Sequence, residues 1–258
     1  MEILQSYNLT RFMAFIPTIR KSTGEWRIVE ASLTGKTTHN IAFIAKKIQR
    51  YFDGKEGIIF ICNQREILAL IRTGKEADAK ILSRDINDNM PEHSCVAVAG
   101  EASAEGLLTI QLKFEDKKGE QNPPVSHLLS ARQQREQNIV MIVDDDGFMR
   151  SLISKTLVNR AHVIETDDST DIVESYLEHL PDLIFLDIHL PKISGIELLE
   201  EILAFDDSAH VVVISSDSKK DNVLDAKKLG AKGFLAKPFT KEKLESCFQK
   251  CPTIRAYN

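Results

Sequence analysis

The stretch NIVMIVDDDGFMRSL, residues 138–152, decides the fold of the second half of this chain. Its β-branched run, Ile139–Val143, predicts a buried strand that ends abruptly at the carboxylates of Asp144, Asp145 and Asp146. Asp146 is well placed to cap a following helix, because its side chain can accept backbone N–H bonds at the helix start. The other two carboxylates repel each other, so they indicate either a solvated acidic turn or a bound cation.

The pattern of a strand followed by a helix repeats through the second half. The predicted strands are Ile139–Val143, His162–Glu165, Leu183–Leu186, His210–Ile214 and Gly233–Ala236. The predicted helices are Gly147–Val158, Thr170–Leu180, Gly195–Ala204, Asp221–Leu229 and Lys241–Gln249. Five strands that alternate with five helices predict an α/β fold, in which a parallel sheet is covered on both faces.

Polar residues follow the predicted strands at the ends where such sheets bind ligands. Asp144 and Asp145 follow the first strand, Asp187 the third, Ser215 the fourth and Lys237 the fifth. Three carboxylates make a hard oxygen site for Mg²⁺, and an ammonium and a hydroxyl beside it suit the oxygens of a phosphoryl group. The predicted chemistry is phosphoryl transfer to a carboxylate, which favours the bound cation over the acidic turn.

Four segments carry a family resemblance, in this order: IVDDD, FLDIHLPKISG, ISSDSKK and GAKGFLAKPFT. Through them, residues 138–250 resemble the receiver domain of two-component response regulators, which has a flavodoxin-like (βα)5 fold. The resemblance implies that Asp187 is the phosphoacceptor and a metal ligand. It also implies that Asp145 binds Mg²⁺ directly and that Asp144 acts partly through water.

The resemblance assigns roles to the residues around the acidic centre. It implies that the backbone carbonyl of His189 is a further metal ligand and that Lys237 binds the phosphate. Ser215 and Phe234 resemble the switch hydroxyl and the switch aromatic, and Ser216 leaves the place of the hydroxyl open by one residue. Because each key residue type is present, we expect an active receiver whose only catalysis is its own phosphorylation and dephosphorylation.

The first half is predicted to be a smaller α+β domain with a mainly antiparallel sheet. Strands are predicted at Phe12–Ile19, Trp26–Ala31, Gly57–Cys62, Ile67–Ile71, Val96–Ala99 and Leu107–Phe114. Helices are predicted at His39–Phe52 and Glu76–Asn87. The segment GIIFICNQREILALIRTG predicts a hairpin, because two apolar runs flank a polar turn.

The order of helix, hairpin, helix and strand is similar to the catalytic core of GGDEF diguanylate cyclases. The signature positions hold Asn63, Gln64, Arg65, Glu66 and Ile67 here, and only Glu66 matches. The glycines that admit the nucleotide are missing, so the resemblance implies a degenerate domain that makes no cyclic dinucleotide. An unrelated α+β interaction module is the open alternative.

Composition narrows the class of protein. The chain has 258 residues, of which 43% are hydrophobic and 28% charged, as in ordinary globular proteins. No apolar run approaches the roughly 20 residues of a spanning helix, and the N-terminus lacks the features of a signal peptide. We therefore expect a cytoplasmic protein that does not use a membrane. Cys247 and Cys251 could share a helix face, but no second pair accompanies them as a zinc site requires.

The segment between the halves, residues 119–137, is polar and predicts a linker, extended at Pro123 and Pro124 and helical from Ser126. It separates a domain over residues 1–118 from the receiver over 138–258.

Charge differs between the halves. Residues 1–136 carry 19 Lys and Arg against 17 Asp and Glu, a net of +2, whereas residues 137–258 carry 14 against 21, a net of −7. A nearly neutral first half, with no helix-turn-helix pattern after the receiver, disfavours sequence-specific DNA binding. We expect a histidine kinase or phosphotransfer protein upstream and a protein partner downstream, with a homodimer through the receiver left open.

Two functions remain open at this point. The favoured one is a response regulator whose phosphorylation switches protein–protein interactions of its first domain or of its receiver surface. The alternative is a response regulator whose first domain binds a nucleotide, such as a cyclic dinucleotide, or is an enzyme.

Overall fold

The structure, a computed structural model, describes residues 1–4, 8–35, 37–117, 127–167, 172–216 and 220–255. The chain divides into two compact units, Met1–Val125 and Ser126–Asn258. Each unit has its own five-stranded sheet and its own hydrophobic core. Within the described ranges, no helix is long and apolar enough to cross a membrane.

The first unit is an α+β domain with a mixed, mostly antiparallel sheet, which confirms the predicted fold class. Its strands are β1 (Glu2–Leu4), β2 (Trp26–Leu33), β3 (Gly57–Ile61), β4 (Glu66–Arg72) and β5 (Cys95–Glu101). Its helices are α1 (Leu9–Arg20), α2 (Ile41–Tyr51), α3 (Ala79–Asn89) and α4 (Ala104–Asp116). The strand order is β1-β3-β4-β2-β5, with β1 parallel to β3 and the other neighbours antiparallel.

Strands β3 and β4 form the predicted hairpin, in which Ile61 faces Ile67. The turn is closed by a backbone bond from Cys62 N to Glu66 O of 2.8 Å and by Asn63 Nδ2, which donates to Glu66 Oε2 at 2.7 Å. A β-α-β-β-α-β order recurs in many domains with unrelated functions. It therefore does not support the more specific resemblance to GGDEF cyclases.

Two segments predicted as strands are helices instead. Phe12–Ile19 lies in α1 and Leu107–Phe114 in α4. Their buried residues, Phe12, Ile16 and Ile19 in α1 and Leu107, Ile110 and Phe114 in α4, recur every three or four positions, which is the spacing of one helix face. The strand prediction was wrong because it followed the apolar content of these runs and not their period.

Helix α3 covers the outer edge of β5, which is an edge strand of the first sheet. Asn87 donates from Nδ2 to Ala97 O and accepts from Ala97 N, each at 2.8 Å, so its amide replaces a neighbouring strand. Ser83 Oγ accepts from Ala99 N, also at 2.8 Å. These bonds occupy the backbone groups with which an edge strand could otherwise pair with another chain.

The second unit has the predicted flavodoxin-like fold with an all-parallel sheet. Its strands are β6 (Ile139–Val143), β7 (His162–Thr166), β8 (Leu183–Asp187), β9 (Val211–Ser215) and β10 (Gly233–Ala236), in the order β10-β9-β8-β6-β7. Its helices are α5 (His127–Gln134), α6 (Gly147–Leu157), α7 (Ile172–His179), α8 (Gly195–Phe205), α9 (Lys220–Leu229) and α10 (Lys241–Lys250). Part of the motif ISSDSKK, residues 217–219, lies outside the described residues, as does the predicted start of α7.

Both faces of this sheet are buried. Val140 and Ile142 of β6 belong to a core cluster with Ile153 of α6 and Phe248 of α10. Met141, also fully buried, points to the opposite face because side chains alternate along a strand. The abrupt change from apolar residues to carboxylates therefore marks the carboxyl end of β6, where the chain leaves the buried sheet.

Helix α5 lies inside the predicted linker but belongs to the second unit. It buries Leu128 and Arg132, which are four residues apart and so share a face. The predicted extended segment at Pro123 and Pro124 lies outside the described residues. Arg135, just beyond the helix, pairs with Asp182 at 2.5 Å and adds a second attachment.

The Arg132 side chain is 1% exposed and is surrounded by polar partners. Its Nε donates to Pro181 O at 2.9 Å, and its remaining N–H groups donate to Ser208, Tyr176 and Asp206. Burial by itself raises the pKa of the Asp206 carboxyl, but the charge and hydrogen bonds of Arg132, together with the other partners, outweigh it, and the net pKa is lowered. The carboxylate therefore stays ionised because the guanidinium is there.

Replacing Arg132 by Met is expected to lower the free energy of unfolding of the second unit by about 3–5 kcal/mol, because it leaves Asp206 buried without a counter-charge. Unopposed burial would then raise the pKa of Asp206, so the variant should lose further stability as pH rises above the pKa that this carboxyl has in the unfolded chain. Hydrogen exchange of the β8 amides in the full chain measures both effects.

The matched control is Lys228→Met, which removes a cation that is 74% exposed and pairs only at the surface with Asp225. Its effect should stay within about 0.5 kcal/mol. A loss below about 1 kcal/mol for Arg132→Met would contradict the structural role of this buried network.

Candidate functional site

The carboxyl ends of four parallel strands bring the candidate residues to one edge of the second sheet. Asp144 follows β6, Asp187 ends β8, Ser215 ends β9 and Lys237 follows β10. Asp145 lies beside Asp144 in the turn before α6. The order β10-β9-β8-β6 makes these strands consecutive neighbours, so residues far apart in sequence meet here.

Three carboxylates and one ammonium form the centre of the site. One carboxylate oxygen from each of Asp144, Asp145 and Asp187 lies within 4.8 Å of the other two. Lys237 Nζ lies 2.8 Å from Asp144 Oδ2 and 2.5 Å from Asp187 Oδ2. The ammonium therefore bridges the two buried carboxylates, while Asp145 is exposed at the mouth.

Asp144 is fully buried, and its two oxygens have different surroundings. Oδ1 accepts a hydrogen bond from Asp146 N at 3.0 Å. Oδ2 forms the ion pair with Lys237 but accepts no well-aligned hydrogen bond from the part of the chain that the structure describes. Burial raises the pKa of Asp144, and the neighbouring Lys237 only partly opposes this shift.

Lys237 is held by its backbone as well as by its charge. Its N–H donates to Ser215 O at 2.7 Å, which ties the end of β10 to the end of β9. Burial by itself lowers the pKa of the lysine, but the close contacts with the charged Asp144 and Asp187 outweigh it, and the net pKa is raised. The side chain therefore remains an ammonium at neutral pH.

Asp187 is 4% exposed, and its Oδ1 accepts from His189 N at 2.9 Å. The loop after it is packed tightly against the start of α8. A Cβ added to Gly195 would lie 2.3 Å from Asp187 O and 2.5 Å from Ile188 Cα. Only glycine fits this close approach to the backbone, which explains the glycine at the end of the motif FLDIHLPKISG.

Arg150 belongs to the site although the sequence analysis did not single it out. Its Nη1 donates to Asp144 O at 2.7 Å and to Asp145 O at 3.2 Å. A cation near a helix N-terminus is unfavourable for the helix dipole unless it has a specific partner. An arginine four residues into α6 was therefore the signal that could have indicated it.

The remaining predicted residues lie around this centre. Ser215 is fully buried whereas Ser216 is exposed, so the two neighbouring hydroxyls have different environments. Phe234 is half-buried on the edge strand β10, beside a hollow that Ala226 and Lys232 also line. His189 is exposed in the loop after β8. Their assigned roles as switch residues and as a carbonyl ligand remain predictions.

The donor set fits a hard divalent cation. With all groups ionised, three carboxylates face one ammonium, so the centre keeps a net negative charge. Carboxylate oxygens are the ligands that Mg²⁺ and Ca²⁺ prefer, and Asp144 Oδ2 retains acceptor capacity. Among the described residues, this is the one cluster of three or more potential metal-binding side chains, and Cys251 is instead buried in the core.

Comparisons with known proteins concern this second unit. Residues 140–249 match the family described as the response regulator receiver domain. The chemotaxis protein CheY of Bacillus subtilis is 37% identical over 113 residues, which cover 43% of this chain and 94% of that protein. CheY of Halobacterium salinarum is 38% identical over 103 residues, 40% of this chain and 86% of that protein.

Similarity extends to a solved structure, the CheX–CheY–BeF3–Mg²⁺ complex from Borrelia burgdorferi. The matching chain is 33% identical, covers 43% of this chain and 85% of its own length, and gives a TM-score of 0.41.

Replacing Gly195 by Ala is expected to destabilise the second unit by about 1–3 kcal/mol, because the backbone around Asp187 must move to admit a methyl group. Differential scanning calorimetry of the full chain measures the loss. The control is Gly147→Ala, where the nearest atom to an added Cβ, Arg150 Nη2, is at an ordinary contact distance of 3.5 Å. Equal melting profiles for the two variants would contradict the tight packing at Gly195.

Proposed function

The chain belongs to the response regulator receiver family, and on that premise we propose that it accepts a phosphoryl group on Asp187 with the help of Mg²⁺. Phosphorylation of Asp187 is proposed to change the interactions of this chain with another protein. Its catalysis is limited to its own phosphorylation and dephosphorylation.

The observation that carries this proposal is the position of Lys237 between Asp144 and Asp187. The ammonium contacts the acceptor carboxylate at 2.5 Å. It therefore lies within reach of an oxygen of a phosphoryl group attached to that carboxylate. Lysine is a compact, mobile point charge, so Nζ can move from a carboxylate oxygen to a phosphoryl oxygen.

The reaction follows from the nucleophile and the charges around it. An oxygen of ionised Asp187 attacks the phosphorus, and the bond from phosphorus to the donor atom breaks as the new P–O bond forms. The electron pair of the broken bond leaves with the donor, which is an imidazole nitrogen of a histidine kinase or the acyl oxygen of a small phosphodonor. Lys237 donates a hydrogen bond to a phosphoryl oxygen throughout.

Asp144, Asp145 and Asp187 would hold the metal ion, together with the carbonyl of His189. When bound, Mg²⁺ offsets the repulsion between the phosphoryl oxygens and the acidic residues. The exposed position of Asp145 suits a residue that meets the ion at the mouth of the site.

The signal is proposed to leave through Ser215 and Phe234. The phosphoryl group adds charge and acceptor oxygens, to which the Ser215 hydroxyl can turn. The space that this movement vacates can be filled by Phe234, whose half-buried position beside a hollow gives its ring room to move. Such a packing change biases two states of the surface formed by α9, β10 and α10.

The proposed partners are a histidine kinase or phosphotransfer protein upstream and a protein of unassigned identity downstream. The nearly neutral first unit supports protein interaction and not sequence-specific DNA binding. We place this function in the cytoplasm, where histidine kinases present their phosphodonor.

Incubating the full chain with acetyl phosphate and Mg²⁺ is expected to add one phosphoryl group, seen by intact-protein mass spectrometry. Asp187→Asn should abolish labelling because it removes the nucleophile. Asp145→Asn should slow it by about 100-fold, the usual effect of removing one group that stabilises charge in the transition state. Chelation of the metal should stop labelling of the unaltered protein.

Asp207→Asn is the control, because it neutralises an exposed carboxylate of the same unit outside the site. Labelling of this variant should match that of the unaltered protein. Full labelling of Asp187→Asn would show that another residue is the acceptor.

Lys237→Ala is expected to keep some labelling but to uncouple it from the switch, because no cation then follows the phosphoryl group. Hydrogen exchange with and without beryllofluoride and Mg²⁺ measures the coupling. Protection of the β9 and β10 amides should change in the unaltered protein and in Lys155→Ala, a control that removes an exposed lysine of α6, outside the switching surface. The same change in Lys237→Ala would mean that Lys237 is dispensable for switching.

A further inference from the structure

Arg150 donates hydrogen bonds to three successive carbonyls of the acidic turn. Its guanidinium Nη1 reaches Asp144 O at 2.7 Å and Asp145 O at 3.2 Å, and its backbone N–H reaches Asp146 O at 3.0 Å. The side chain is 21% exposed, so most of its surface is shielded from solvent. Main chain and side chain of one residue thus fix the whole turn.

These bonds determine the direction of one carboxylate in particular. The carbonyls of Asp144 and Asp145 belong to the two planar peptide groups that flank the Cα of Asp145. Fixing both planes fixes the backbone dihedrals at that Cα, and therefore the direction of its Cα–Cβ bond. Asp145 needs this support because it is exposed, whereas Asp144 is held by burial and by the hydrogen bond that its Oδ1 accepts from Asp146 N.

We infer that Arg150 is a positioning residue, which aims the Asp145 carboxylate at the divalent cation of the proposed phosphorylation site. This inference rests on the function proposed above and adds a residue to it. Arg150 does not contact the phosphoryl group or the ion; it acts through the backbone of the turn.

The alternative that Arg150 acts by its charge is less well supported by the contacts. Its ion pair with Glu165 is long, with 3.8 Å between Nε and Oε2, and Glu165 is 41% exposed. Such a pair contributes little. The shorter contacts of the Arg150 guanidinium are with backbone carbonyls. These groups have no formal charge, so the contacts orient the backbone and do not neutralise a charge.

Partners that orient metal ligands typically change metal affinity by about 10–100-fold when they are removed. Arg150→Met keeps an unbranched aliphatic side chain and removes the donors. The dissociation constant of this variant for Mg²⁺ should therefore be about ten-fold higher than that of the unaltered protein. Arg150→Lys keeps a donor on a shorter side chain and should recover part of this loss.

Isothermal titration calorimetry of the full chain with Mg²⁺ alone measures the dissociation constant. It is carried out on the unaltered protein and on the variants Arg150→Met, Arg150→Lys and Glu165→Gln. Glu165→Gln removes the ion pair and leaves the carbonyl bonds, so its affinity should stay within about two-fold. The concentration of Mg²⁺ that half-saturates labelling should shift with the affinity, whereas the labelling rate at saturating Mg²⁺ should change little. A merely structural role would instead lower that saturated rate.

A double-mutant cycle with Asp145→Asn tests the route of the effect. If Arg150 acts through Asp145, Arg150→Met should weaken Mg²⁺ binding far less in the Asp145→Asn background than in the unaltered protein. Equal losses in both backgrounds would overturn the inference, as would an unchanged affinity of Arg150→Met or an equal loss in Glu165→Gln. Arg150→Lys provides the same comparison if the Met variant does not fold.

The two proposals fail in different ways. Labelling that persists in Asp187→Asn would overturn the assignment of the phosphoacceptor, although the order of Mg²⁺ affinities among the Arg150 variants could still hold. Normal Asp187 labelling with unaltered Mg²⁺ affinity in Arg150→Met would overturn only the role of Arg150.

Discussion

The crowding of carboxylates at one edge of a parallel sheet is the constraint on which the site depends. Parallel strands bring their carboxyl ends together, so the carboxylates at the ends of β6 and β8 must share a small volume with the lysine at the end of β10. The ammonium of Lys237 offsets part of the repulsion by contacting both Asp144 and Asp187. The negative charge that remains favours a divalent cation, and under the proposed function that cation would offset the charge of a phosphoryl group.

Two buried or half-buried arginines support the second unit outside the carboxylate centre. Arg150 binds the carbonyls of the acidic turn, and Arg132 joins α5 to Asp206 and Tyr176. The segment that matches the receiver family begins at residue 140, but the compact unit begins at Ser126. The helix before the matched segment is thus part of this unit, because its arginine supplies the counter-charge for a carboxylate buried inside it.

Much of the second unit could be predicted from sequence, because most of its strands are short apolar runs with polar residues at their ends. Ile139–Val143 and Gly233–Ala236 were predicted with the boundaries that the structure has. In the first unit, α1 and α4 were predicted as strands, since apolar content was weighed above period. The asparagine and serine that cap these helices, Asn8 and Ser103, were local signals for the correct assignment.

The sequence by itself determined the types and the order of the site residues: three carboxylates, a hydroxyl and a lysine, each after a predicted strand. Only the tertiary structure decided that Lys237 bridges two carboxylates, that Gly195 must lack a side chain, and that Arg150 holds the acidic turn. The physical reason is that periodicity and end residues act locally along the chain. Ion pairs and close backbone approaches depend on which strands become neighbours, and Asp187 and Lys237 meet across 50 residues of sequence.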